Sequence, residues 1–376
     1  MIGQKFASFL SLFALLASSS MFLLSCETDA RNTTRIPPTL SPELNQKLHD
    51  DAIGALTYNI ERRIDVDQSY YKRSMLYFTN EDYAKAQSDI NEAIEINENK
   101  GQYYLLRARI RRELDLIDKA LEDAERAEAL QQDNPDLYIL LADLFQEKKR
   151  FREAQRYLGS AMRMAPHNAS AYYVKGMLEA NMGDTLSSLK SFDQAISLNP
   201  RVLRAYKQSA SIYNILGDYD SALLLNNKAL ARFPKDPALY HEKGEIYNHK
   251  NRIDSALIFY TEAVKIKPDQ IKSHFQIGTI YMRYKNYTEA IRSYEQVLKN
   301  NTNYPQIHYL IGFCFERMGN YEKAKEFYSL EALRRPEDRL ALSGLYRIQN
   351  RELSRYDLPS DDEGAYDNEV DSTRQK

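Results

Sequence analysis

The sequence predicts an all-α protein built as an array of antiparallel helix pairs, and three ladders of residues predict it. Steps of 34 residues from Tyr70 reach Tyr104, Tyr138, Tyr172, Tyr206, Tyr240, His274 and His308, a ring at every step. Four residues after each ring stands a small residue: Ser74, Ala108, Ala142, Gly176, Ala210, Gly244, Gly278 and Gly312. A third ladder holds Ala86, Ala120, Ala154, Ser188, Ala222, Ala256, Ala290 and Ala324. Small residues at fixed helical positions allow two backbones to approach closely, and the first ring is expected to fill the groove left between them.

Further positions delimit the helices. Ala93, Ala127, Ala161, Ala195, Ala229 and Ala263 form a fourth small ladder, continued by Val297 and broken by Glu331. Five residues beyond it, Pro166, Pro200, Pro234, Pro268 and Pro336 end the second helix of a pair, because proline has no amide hydrogen to continue it. Polar turns such as Gly183-Asp184, Gly217-Asp218, Asn286-Tyr287 and Gly319-Asn320 separate the two helices. An aromatic residue then opens the second helix at Tyr83, Phe151, Tyr219, Tyr287 and Tyr321.

This arrangement resembles the tetratricopeptide repeat, with tyrosine or histidine where the family usually has tryptophan at the fourth position. The resemblance covers residues 67 to 338 as eight repeats, and implies a right-handed superhelical solenoid. Arg111 and Glu331 depart from the pattern, in the second and last repeats.

Outside the repeats the chain carries other signals. Lys5 precedes an apolar stretch from Phe6 to Leu24 that ends in Ser25-Cys26, the order of a secretory signal. A cysteine directly after the small residue resembles a bacterial lipoprotein processing site, so residues 1 to 25 are expected to be removed and Cys26 lipidated. An uncleaved spanning helix is the competing reading, since about 19 apolar residues approach the length that crosses a bilayer. Residues 26 to 41 are expected to be a tether. Pro42 just inside a helix start, followed by Leu48, Ile53, Leu56 and Ile60, predicts a cap helix within 42 to 66. Leu340, Leu342, Leu345, Tyr346 and Ile348 predict a second cap within 339 to 355. Beyond it, residues 356 to 376 form an acidic segment expected to be disordered.

Composition narrows the function. The 51 basic and 53 acidic residues nearly cancel, which gives no support to nucleic-acid binding. No P-loop, dinucleotide glycine fingerprint, zinc-protease helix or nucleophile elbow is present, so neither an enzyme nor a cofactor is expected. Of the two cysteines, Cys314 lies between Phe313 and Phe315 and reads as a small buried residue.

Within the family, the fifth, ninth, twelfth and thirteenth positions of each first helix line a concave groove that binds a protein or peptide. On this chain the resemblance nominates Tyr71, Met75 and Phe78 in the first repeat and Tyr173 and Met177 in the fourth. It nominates Phe275, Met282, Tyr309 and Phe313 in the last two. Between them lie Lys207, Ser211, Asn214, His241, Glu245, Asn248 and His249. The groove is thus expected to be apolar toward both ends and polar in the middle, which suits a peptide or partner helix. The lysine and asparagine pair that holds a terminal carboxylate in some chaperone-binding members is absent at the fifth and ninth positions of every repeat.

Two readings of function follow. The first is a membrane-anchored scaffold or adaptor of the bacterial cell envelope, on the outer membrane by analogy with known lipoproteins of this type. The alternative is an anchored receptor for a ligand or metal, centred on His241 and Glu245. His241, Glu245 and His249 share one helix face, but the two histidines lie about 12 Å apart along the axis, too far to bind one ion without another segment.

Overall fold

The computed structural model describes residues 42–356, which form eighteen α-helices and no strand among the described residues. The signal-like stretch, Cys26, the expected tether and residues 357–376 lie outside the described residues. No described helix is long and apolar enough to cross a membrane.

The helices fall into two compact bodies, one up to Glu98 and one from Asn99. In the first body, α1 (Pro42–Glu61) packs on α2 (Val66–Thr79), which pairs with α3 (Tyr83–Ile96). Arg73 ties all three together. Its guanidinium donates to both carboxylate oxygens of Asp89 on α3, each at 2.7 Å, and to Thr57 Oγ1 on α1 at 2.8 Å. His49 of α1 also hydrogen-bonds the Leu76 carbonyl near the end of α2.

The second body contains seven pairs: α4 (Gly101–Glu113) with α5 (Ile117–Ala129), α6 (Pro135–Glu147) with α7 (Phe151–Met164), and α8 (Ala169–Asn181) with α9 (Thr185–Leu198). These are followed by α10 (Leu203–Ile215) with α11 (Tyr219–Leu230), α12 (Pro237–His249) with α13 (Ile253–Ile266), and α14 (Ile271–Arg283) with α15 (Tyr287–Asn300). The last pair is α16 (Ile307–Arg317) with α17 (Tyr321–Arg334), against which α18 (Arg339–Tyr356) packs. Each second helix packs on the first helix of the next pair, giving a solenoid of helix pairs.

The ladders acquire a physical meaning in these contacts. Ala86, Ala120, Ala154, Ala222, Ala256, Ala290 and Ala324 are fully buried. The ring that fills the gap at the other small ladder comes from the second helix, not from the ladder that begins at Tyr70. Phe192, Tyr260, Tyr294 and Tyr328 occupy the space a Cβ would need at Gly176, Gly244, Gly278 and Gly312, with nearest distances of 2.7, 2.6, 2.6 and 2.9 Å. Where the first helix carries Ser74, Ala108, Ala142 or Ala210 instead, the residue opposite is smaller: Ile90, Ala124, Leu158 or Asn226. Volume is conserved across the pair, as close packing requires. The rings of the first ladder turn backward: Tyr240 and His274 bond the carbonyls of Pro234 and Pro268 in the preceding turn.

The turn inside each repeat has one backbone shape. Its fifteenth residue is left-handed in all eight: Glu81, Asp115, Lys149, Gly183, Gly217, Asn251, Lys285 and Gly319, with φ between 57° and 86°. The residue after it caps the second helix wherever its side chain permits, as Asp82, Asp184, Asp218, Asn286 and Asn320 accept a backbone N–H.

One helix departs from the register. Pro135 and Pro237 open α6 and α12 behind Asn134 and Asp236, whose side chains accept the free amides. Pro305 follows Tyr304, which has no such acceptor; there Gln306 is left-handed and α16 begins at Ile307.

Candidate protein-binding groove

The nominated groove residues fall into three settings. Those of the first body, Tyr71, Met75 and Phe78, all lie on α2; Met75 is exposed and the Phe78 ring meets Tyr83 at 5.8 Å. They belong to a different compact body from the other nominated residues.

The aromatic and methionine residues of the second body are half-buried. Tyr173 meets Phe192 at 5.8 Å between ring centres and, with Met177, packs on Ala195 and Ala205. Phe275 meets Tyr294 and Tyr304 at 6.0 and 5.1 Å and joins Met282 on the cluster around Ala290 and Ile311. Tyr309 stacks on Tyr328 at 5.7 Å and lies 6.2 Å from Phe313, both rings packing on Ala324 and Ile348. These rings serve the inter-helix core on one side, and burial raises the phenol pKa of Tyr173 and Tyr309.

The polar middle is a connected network across repeats five to seven. Lys207 of α10 pairs with Glu242 of α12 at 3.2 Å. His241 shares a hydrogen bond of 3.0 Å between its Nδ1 and Ser273 Oγ of α14, and its Nε2 lies 3.6 Å from Glu245 Oε1. That same oxygen accepts from Tyr260 and from Gln276, both at 2.8 Å. Burial pushes the Tyr260 hydroxyl well above its ordinary pKa and Glu245 adds to it, so Tyr260 stays a donor. His249 Nδ1 donates to Asn214 Oδ1 at 3.0 Å, and Asn248 is half-buried on the same helix. His249 is thus bonded across to α10. Among the described residues no group of three or more histidine, cysteine, aspartate or glutamate side chains could hold a metal.

The sequence pattern also contained groove residues that were not nominated. At the ninth, twelfth and thirteenth positions, Arg112, Glu113, Asp143, Gln146 and Ile215 form a second feature in repeats two to five. Arg112 donates to Asp143 at 2.8 Å and to Glu113 at 3.0 Å. Glu113 in turn accepts from Arg204, 91 residues away at the start of α10, at 3.2 and 3.3 Å. Ile215, at a thirteenth position, is 81% exposed. Only Arg204 and Glu242 fall outside the four groove positions. Opposite charge at long sequence separation gives no periodic signal.

Helix pairs in an unbroken 34-residue register, with small residues facing rings, define a repeat protein of the interaction-scaffold class. Tetratricopeptide repeat profiles match residues 67–100, 139–185, 173–237, 216–271 and 278–319, together more than half of the chain, and the chain belongs to that family. No significant relative is found among curated proteins. Similar solved structures include yeast Tom70, with a TM-score of 0.52 and 17% identity over 93% of this chain and 79% of that one. The Cut9–Hcn1 hetero-tetramer of the APC/C matches with a TM-score of 0.53 and 17% identity over 82% of this chain. This chain spans 60% of that one, less than two thirds of its length. The C-terminal part of a TPR repeat-containing protein from Cytophaga hutchinsonii matches with a TM-score of 0.50 and 15% identity, over 63% and 98% of the two chains. At these identities the likeness concerns the fold.

Proposed function

We propose that the chain is a membrane-anchored scaffold of the bacterial cell envelope that binds a protein or peptide partner on the first-helix face of its repeats. The observation that carries this reading is the polar network from Lys207 to Gln276 on consecutive first helices, flanked by half-buried rings and the exposed Ile215. Amides and charges offer partners for a peptide's main chain and side chains, and the apolar residues offer anchors. The order of Lys5, the apolar stretch and Ser25-Cys26 supports the lipid anchor. Acyl chains contribute about 0.8 kcal/mol per buried methylene, so more than one chain holds a protein stably at a bilayer.

Two measurements test the two halves separately. A photo-crosslinking residue at Ile215 should capture a partner in native membranes, while the same residue at the exposed Leu186 of a second helix should not; equal capture at both removes the groove reading. Metabolic labelling with a fatty-acid analogue should mark the wild-type protein and not Cys26→Ala. Unlabelled wild type removes the anchor.

A further inference from the structure

The ion pair between Glu113 and Arg204 joins the last turn of α4 to the first turn of α10, two helices separated in sequence by two intervening repeats. The pair therefore reaches across the first-helix face of repeats two to five. The two sides are not equally committed. Glu113 has a second cation, Arg112, at 3.0 Å, and Arg112 is held in turn by Asp143. The guanidinium of Arg204 is directed to Glu113 alone among its hydrogen bonds and ion pairs, and its side chain is 56% exposed. Opening the bridge leaves Glu113 paired and sets Arg204 free.

A second observation comes from the helix between them. Gln146 lies one turn beyond Asp143 on α6, at the twelfth position, and is 1% exposed. Neither its Nε2 nor its Oε1 has a hydrogen-bond partner. A buried amide without partners costs on the order of 1–3 kcal/mol, a cost removed when a donor and an acceptor are supplied together. A peptide main chain supplies both from one residue.

We propose that the first-helix face of repeats two to five admits an extended acidic segment of a partner protein. Arg204 turns from Glu113 to a carboxylate of that segment, and the Gln146 amide pairs with its main chain. This rests on the scaffold reading and specifies the chemistry of the partner. A basic segment would instead have to displace both arginines from Glu113, and Arg112 is held by two acids.

The test uses the full chain and two pools of fluorescent decapeptides, one carrying a single aspartate or glutamate and the other its asparagine or glutamine counterpart, with anisotropy as the readout. Wild type should prefer the acidic pool by about tenfold or more, the scale of a lost charge pair at an interface. Arg204→Gln should abolish that preference, Glu113→Gln should tighten acidic binding, and Gln146→Met should weaken both pools alike while the melting temperature is retained. Equal affinity for the pools, no binding of either, or an unchanged preference in Arg204→Gln overturns the proposal. The scaffold reading fails separately: capture at Ile215 that persists with an unaltered Arg204→Gln phenotype sinks the acidic-segment assignment alone, whereas loss of all groove capture sinks both.

Discussion

Gly244 and Tyr260 share one volume: a Cβ on the glycine would stand 2.6 Å from two carbons of the tyrosine ring. The ring is fully buried, and its hydroxyl is held by Glu245 one residue beyond the glycine. It therefore has little freedom to retreat.

Gly244→Ala is expected to destabilise the second body by roughly 1–3 kcal/mol, the cost of forcing extra volume into a packed contact. Tyr260→Val in the same chain should recover part of that loss, because the smaller side chain leaves room for the methyl. Denaturant melts of the two single variants and the double variant measure the coupling. Additive effects would mean that the two residues do not compete for space.

Lys149→Gly should raise stability by about 0.5–1 kcal/mol. Lys149 holds φ at 57° in the turn between α6 and α7, a conformation that costs a non-glycine residue roughly 1–2 kcal/mol, partly offset by the greater entropy glycine loses on folding. Gly217→Ala, at the equivalent turn between α10 and α11, should lower stability by a similar amount. Opposite signs in thermal melts identify the backbone as the cause.

Stability should fall as the pH drops from about 7.5 to 6. Burial holds His241 below its ordinary pKa, with Lys272 and Lys207 adding to the effect and Glu245 opposing it. For His308 burial again dominates, Arg334 adds to it and Glu331 opposes. Both imidazoles thus stay neutral in the folded chain at a pH where the unfolded chain, titrating near 6.5, takes up protons; the excess protons on the unfolded side favour unfolding. The midpoint of urea unfolding across that window should flatten in a His241→Gln/His308→Gln variant. A slope identical to wild type would place the titration elsewhere.

Replacing Tyr309 and Phe313 with alanine should loosen the carboxyl-terminal end of the second body. The two rings pack on Tyr328, Ala324 and Ile348, which join α16, α17 and α18. Repeat arrays confine such losses to neighbouring units. Hydrogen exchange should accelerate in α17 and α18 and stay unchanged in α6 to α9. Retained protection in α17 and α18, together with weakened partner binding, would assign both rings to the groove surface instead.

The helical array was legible because its signals are periodic: Ala256 and Gly244 recur every 34 residues, and repetition separates a packing constraint from chance. The origin of the filling ring was not legible in the same way. Tyr260 lies 16 residues after Gly244, and its counterparts Ala124, Leu158 and Asn226 differ in size and polarity, so the position forms no ladder until it is compared with the residue opposite. The left-handed turn was hidden for a similar reason. Gly183, Gly217 and Gly319 signal it, but Glu81, Asp115, Lys149 and Lys285 adopt the same conformation under constraint from the helices on either side. Of the polar groove, His241 and Glu245 were visible from their helical spacing, whereas the Glu113–Arg204 bridge depends on how far the helix stack turns between repeats two and five.

The glycine and its ring reside in a single 34-residue segment, on paired helices. A copy of that segment inserted elsewhere would bring both lock and key with it, so the chain can gain or lose whole segments without any neighbour having to change size. The bonds from Lys207 to Glu242 and from His241 to Ser273 run between segments and have no such independence. Length can therefore drift by duplication while the polar links record which segment must stand next to which.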